Sequence, residues 1–172
     1  MKGNLSTMAA TLGLLLATFI ISTVTDVSYS LELCQPGWTS YSGKCYQYFP
    51  IAKTWIDAEL HCVSLGGNLA SVHSSGANQF IASLIKRSDS HKPTSWLGGS
   101  NCVRASSWLW TDGSEWGFTN WGHDAPNNIG GNERCLHTNF LVPGDWNDVN
   151  CATQFPFVCM RNEWPMLRMK KE

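Results

Sequence analysis

The sequence predicts an α+β domain, and three observations carry that reading. Helical periodicity is confined to one stretch, Thr54 to Ile85, and short Trp-rich segments broken by Gly, Asn, Asp and Pro fill the region after Pro93. Seven cysteines follow an apolar leader, which suits an oxidising compartment. With 172 residues, 43% of them hydrophobic and 12% aromatic, one domain with a real core is expected rather than disorder. Lys+Arg number 12 against 13 Asp+Glu, a formal net charge of −1. No basic excess exists to neutralise phosphates, so nucleic acid is not an expected partner.

The leader comes first. Lys2 precedes Met8–Ile21, which is apolar apart from Thr11 and Thr18, and Ser22, Thr23 and Thr25 interrupt the run. A charged start, a short apolar run and then small polar residues predict a signal peptide over residues 1–25, with cleavage as late as about residue 30. A membrane anchor needs a run of about 18 to 20 apolar residues, so no membrane span is expected and the chain reads as secreted and extracellular. Asn4-Leu5-Ser6, the sole Asn-x-Ser/Thr triplet, lies inside the leader, so the mature chain should lack N-glycans.

Residues 34–50 (CQPGWTSYSGKCYQYFP) mix turn formers with aromatics and predict a hairpin flanked by Cys34 and Cys45. From Thr54, Trp55, Ala58, Cys62 and Leu65 fall at helical spacing, stopped by Gly66-Gly67. Ser74 or Ser75 caps a second helix whose face carries Phe80, Ile81, Leu84 and Ile85. Strands follow at Trp96-Leu97, Trp108–Trp110, Arg134–Asn139 and Phe155–Met160. Cys34, Cys45, Cys62, Cys102, Cys135, Cys151 and Cys159 are bridge candidates with one left over. Spacing leaves the pairing open, since any six cysteines allow about 15 connectivities. Zinc is disfavoured, because neither C-x₂-C nor H-x₃-H occurs.

Taken in order, CQPGWTSYSGKCY (34–46), TWIDAELHCVSLGGNLASV (54–72), WLGG (96–99), WLWTDGS (108–114), Trp121, Pro126-Asn127, ERC (133–135), DWND (145–148) and FVC (157–159) form a series. On that series residues 34–160 resemble a C-type lectin-like domain in its long form, with an extra N-terminal hairpin. The double Gly of WLGG is similar to that of small secreted fish lectins, whose relatives include globular antifreeze proteins. The resemblance implies two helices with short antiparallel sheets and long loops. It also implies the pairs Cys34–Cys45, Cys62–Cys159 and Cys135–Cys151, with Cys102 left over.

The resemblance further implies a calcium ion in the loops that binds vicinal sugar hydroxyls directly. Calcium takes about 6 to 8 oxygens, which carboxylates and amides on loops supply. Matched position by position, Asn127, Glu133, Asn147 and Asp148 are the implied metal and carbohydrate ligands, and a cis bond at Pro126 would aim its neighbours at one point. The residue before that proline is Ala125, where the family places Glu or Gln, and alanine has no oxygen to give. Losing such a group, at about 1.4 to 2.8 kcal/mol, weakens binding roughly ten- to a hundredfold. A calcium site that is weak or absent is therefore expected, unless water or Asp124 fills the gap.

The remaining residues read plainly. Trp38, Trp55, Trp96, Trp108, Trp110 and Trp146 are expected in core and scaffold, with Trp116 and Trp121 nearer the loops. No His carries metal or nucleophile spacing, so the chain is not expected to be an enzyme. Residues 161–172 read as a short basic tail. The expected function is binding of glycans on microbial or cell surfaces in innate defence. Two alternatives remain: a protein-binding module that lost the sugar site, or an ice-binding protein. Cys102, in the polar stretch SNCVRASS (100–107), is expected to be exposed and to link two copies in a homodimer.

Overall fold

The computed structural model describes residues 34–163; the leader and the rest of the tail lie outside the described residues. The chain runs β1 (Thr39–Tyr41), β2 (Lys44–Lys53), α1 (Trp55–Ser64), β3 (Asn68–Leu69), α2 (Ser75–Ser88), β4 (Ser95–Ser100), β5 (Leu109–Trp110), β6 (Cys135–Thr138), β7 (Trp146–Val149) and β8 (Phe155–Asn162). The α+β expectation holds. Instead of several small sheets, the strands form one sheet in the order β1-β2-β8-β4-β6-β7, with β3 added on β8 and β5 on β4. Every pairing is antiparallel except β4 with β8, which meet in parallel at Trp96 and Phe157.

Both helices start where a side chain can replace a missing backbone partner. Thr54 Oγ1 accepts from Asp57 N and Ser74 Oγ accepts from Ala77 N, each satisfying an N–H of the first turn. Gly66 has φ +79, a left-handed position that ends α1, and a Cβ on Gly67 would lie 2.2 Å from the Met160 carbonyl. The second Gly therefore lets the chain turn against β8. Gly98 answers the same need in β4, where a Cβ would sit 2.6 Å from the Leu69 carbonyl.

Strand periodicity splits the core in two. Along β8, Phe157 and Cys159 join Trp55, Ala58, Cys62 and Trp96, while Val158 and Met160 join Ile81, Ile85, Leu97 and Trp146. One helix thus packs with each set. Asn78 of α2 is fully used: its Nδ2 donates to the Gly144 carbonyl at 3.0 Å and its Oδ1 accepts from Trp146 Nε1 at 2.8 Å. The three expected disulfides form: Cys34–Cys45, Cys62–Cys159 and Cys135–Cys151.

Several expectations shift. Trp55, Trp96, Trp110 and Trp146 are buried, but Trp38 and Trp108 are only half-buried, since each sits at the edge of its cluster. β8 continues to Asn162, beyond the expected end at Met160, because β2 pairs with it that far and the Arg161 guanidinium lies 4.0 Å over the Trp38 ring. Trp146-Asn147-Asp148, outside the expected strands, lies in β7, paired residue by residue with β6.

Candidate functional site: a loop held together by its own ligand-type oxygens

Between β5 and β6, residues 111–134 contain only a single-residue bridge from Trp121 to Trp146 and a short 3-10 turn at Ile129–Gly131. Aromatic rings pin the first half to the sheet. Trp116 lies 4.4 Å from Trp110 between ring centres, and Phe118 and Trp121 meet Trp146 edge-on at 5.6 and 5.8 Å. Irregular segments of this length in compact domains tend to be functional.

The second half is held by side-chain oxygens. The buried Asp148 carboxylate accepts from Asn127 N at 2.9 Å on Oδ1 and from Asn128 N at 2.8 Å on Oδ2. Glu133 Oε2 accepts from Ile129 N at 2.7 Å, and Asn128 Oδ1 accepts from Glu133 N at 3.0 Å. Asn128 takes φ +46, which asparagine tolerates better than most residues. The Ala125–Pro126 peptide is cis. Asn127, Glu133, Asn147 and Asp148 are thereby gathered by one loop and one strand. Asn127 is exposed, Glu133 half-buried, and the other two buried.

In kind, these residues fit a hard cation. Asn147 Nδ2 donates to the Asp148 carbonyl at 2.7 Å, but its Oδ1 is buried with no hydrogen-bond partner. An orphaned buried amide oxygen is costly, and a cation would satisfy it. In number they fall short. With one oxygen from each of the four side chains and the Asp148 carbonyl they supply about five against the usual 6 to 8, because both Asp148 carboxylate oxygens and Glu133 Oε2 already accept backbone N–H groups. Ala125 adds none, and Asp124 turns to His123, 2.7 Å from its Nδ1, with both side chains exposed. Behind the site, burial pushes the His137 imidazole down to about 4, outweighing the pull of Asp148. His137 is therefore neutral at physiological pH.

One grouping escaped the sequence reading. Ser71, His73, Asp112 and Ser114 meet beside a cleft of about 380 Å³ that Tyr41, Tyr46 and Lys44 also line. Ser71 Oγ donates to Asp112 Oδ2 at 2.6 Å and Ser114 Oγ to Oδ1 at 2.5 Å, while His73 Nε2 lies 3.0 and 3.1 Å from the two hydroxyls. Burial raises the Asp112 pKa, but these hydrogen bonds outweigh it and hold the carboxyl below its ordinary value. Both serine protons are committed to the carboxylate, so His73 Nε2 carries the hydrogen and donates. Neither serine faces a base. The cluster is a structural network, not a nucleophilic one. Ser71 and Asp112, like His73 and Ser114, lie 41 residues apart, and no spacing signals them.

A three-disulfide α+β domain with a long irregular loop beside a Trp-Asn-Asp strand is the architecture of the C-type lectin class. The Lectin C-type domain family model matches residues 51–161, and the chain belongs to that family. It is 44% identical over 130 residues to a lectin of Pleurodeles waltl, covering 74% of this chain and 76% of that one. It is 38% identical over 155 residues to the lactose-binding lectin l-2 of Anguilla japonica, covering 84% and 92%. The herring type II antifreeze protein superposes with a TM-score of 0.70 at 28% identity, covering 75% of this chain and all but a little (98%) of the other. Members of this family are non-enzymatic and usually bind calcium, though some do not.

Proposed function

We propose that the domain is a secreted lectin that binds cell-surface or microbial glycans, in the manner of innate defence, through Asn127, Glu133, Asn147 and Asp148. One observation carries the reading: the loop folds back onto the Asp148 carboxylate through Asn127 N, and Asn147 Oδ1, on the neighbouring residue, is buried and unpartnered. The lactose-binding relative, similar over most of both chains, supports a sugar ligand. Calcium, when bound, supplies a centre that two vicinal hydroxyls can share. This chain's part is to hold the oxygens, with Asp148 fixing the loop and Asn147 presenting a desolvated carbonyl. With Ala125 mute, calcium affinity is weaker than millimolar. Three disulfides, and among the described residues no helix long and apolar enough to cross a membrane, accord with an extracellular protein.

Cys102 is exposed and unbonded, and pairing with a second copy there would put two weak sites on one molecule. On a repetitive glycan surface, two sites can raise avidity by roughly 10² to 10⁴. Gels with and without reductant, repeated for Cys102→Ser, test the pairing. A glycan array read in chelator and across about 1 to 10 mM calcium tests the site. Retention of glycans that rises with calcium is expected. No glycan retained in any condition would refute sugar binding and leave a protein-binding module, which the prior occupation of Asp148 by backbone N–H groups favours. Measurement of thermal hysteresis separates both from ice binding.

A further inference from the structure

Cys102 is not an isolated thiol. Its Sγ lies 3.8 Å from Cys151 Sγ, and the sulfurs of Cys102, Cys135 and Cys151 all fall within 4.8 Å of one another. Local structure holds it there. β4 ends at Ser100, opposite Cys135; the buried Asn101 donates its N–H to the Arg134 carbonyl at 3.0 Å, and Cys102 N–H donates to Ser100 Oγ at 3.1 Å. The strand end thus delivers an exposed thiol onto a disulfide that brackets β6 and β7.

We propose that Cys102 is the attacking thiol of an intramolecular thiol–disulfide exchange with Cys135–Cys151. The Cys102 thiolate adds to Cys151 Sγ, the Cys102–Cys151 bond forms as the Cys135–Cys151 bond breaks, and Cys135 leaves as a thiolate that takes up a proton. One disulfide and one thiol enter and leave, so no outside oxidant or reductant is consumed. In-line displacement requires the incoming sulfur to swing onto the axis of the bond it breaks, and the exposed Cys102 side chain has room to do so. Cys135 is fully buried, where a protonated thiol is well tolerated as a small apolar group. The exchange frees the start of β6, beside Glu133, while β7 stays tied. It is a switch between two covalent forms of the loop's base, and it needs no ligand.

The test is disulfide mapping of the full chain. Wild-type protein is held at about pH 8.5, where thiolates are abundant, then acidified and digested by pepsin without reduction. A Cys102–Cys151 cross-linked peptide is expected beside Cys135–Cys151, and it should vanish in Cys102→Ser. Cys135→Ser provides the second arm, because it leaves two sulfurs that the proposal says can bond. That variant should form Cys102–Cys151 and show no reactive thiol. Wild-type protein holding Cys135–Cys151 alone, with Cys102 free or tied to a second copy, overturns the exchange. So does a folded Cys135→Ser chain in which Cys102 and Cys151 both react with a thiol reagent.

Discussion

The sheet centre and the loop over residues 111–134 solve the same problem in different ways. In β2, β8 and β4, backbone N–H and C=O groups satisfy one another across strands, and side chains are left to pack. In the loop, ladder partners are scarce, and side-chain oxygens take their place. Asp112 accepts Ser114 N, Asp148 accepts Asn127 N and Asn128 N, Glu133 accepts Ile129 N, and Asn128 accepts Glu133 N. Two of these four acceptor residues, Asp148 and Glu133, also belong to the set proposed to hold a cation. Ligand and loop therefore draw on one pool of acceptors, whereas the sheet has no such stake in the ligand.

The largest expected effect breaks the sheet side. The Cys62–Cys159 bridge closes a separation of 97 residues and Cys135–Cys151 one of 16. Chain-entropy estimates give about 4 to 5 kcal/mol for the first and about 3 for the second. Replacing Cys62 and Cys159 by alanine should thus cost more in denaturant unfolding than replacing Cys135 and Cys151. Equal losses would mean that the loop is as tightly coupled to folding as the sheet.

Acid should come next. An unfolded chain protonates His137 near pH 6.5, whereas the folded chain does so only near 4. Unfolding is therefore favoured as pH falls through that window, by about 3 kcal/mol in all. Asp112 adds a loss of the same sign lower on the pH scale, its contribution being present above the ordinary carboxylate pKa and lost as pH falls through its lowered value. Urea midpoints measured from pH 7 to 4 check this, and a flat profile down to pH 5 would show that His137 is solvated.

Smaller effects belong to the loop. Asp148→Asn leaves one carbonyl oxygen for two N–H groups and should cost about 1 to 3 kcal/mol. Amide exchange should quicken at Asn127 and Asn128 more than in β2 or β8. Quickening spread evenly over the molecule would erase the distinction between the regions. Ala125→Glu should strengthen calcium binding at least tenfold, about 1.4 kcal/mol, by calorimetric titration. Asp124→Ala should leave that affinity unchanged, since Asp124 faces His123.

The same contrast explains what the sequence made legible. Trp55, Ala58 and Cys62, like Ile81, Leu84 and Ile85, announce helices because burial repeats at helical spacing, and all six are buried. β7 stayed hidden because Asn147 and Asp148 are poor strand residues until neighbours satisfy them. β3 is two residues long and depends on Glu59, whose buried carboxylate accepts from Asn68 Nδ2 and Leu69 N. Asn127, Glu133, Asn147 and Asp148 could be named as candidates through family resemblance alone. That Asp148 already serves two backbone N–H groups, and that Cys102 sits against Cys151, depends on distances no spacing encodes.

Strand order has a bearing on how such a domain can be mounted. β1, β2 and β8 put both ends of the described segment at one margin of the sheet, where Gln35 meets Arg161 and Ser40 meets Glu163. Asn147 and Asp148 sit on β7, the opposite margin. A tether, a fusion partner or a solid support joined at either end would attach at the back of the molecule and leave the loop surface facing outward.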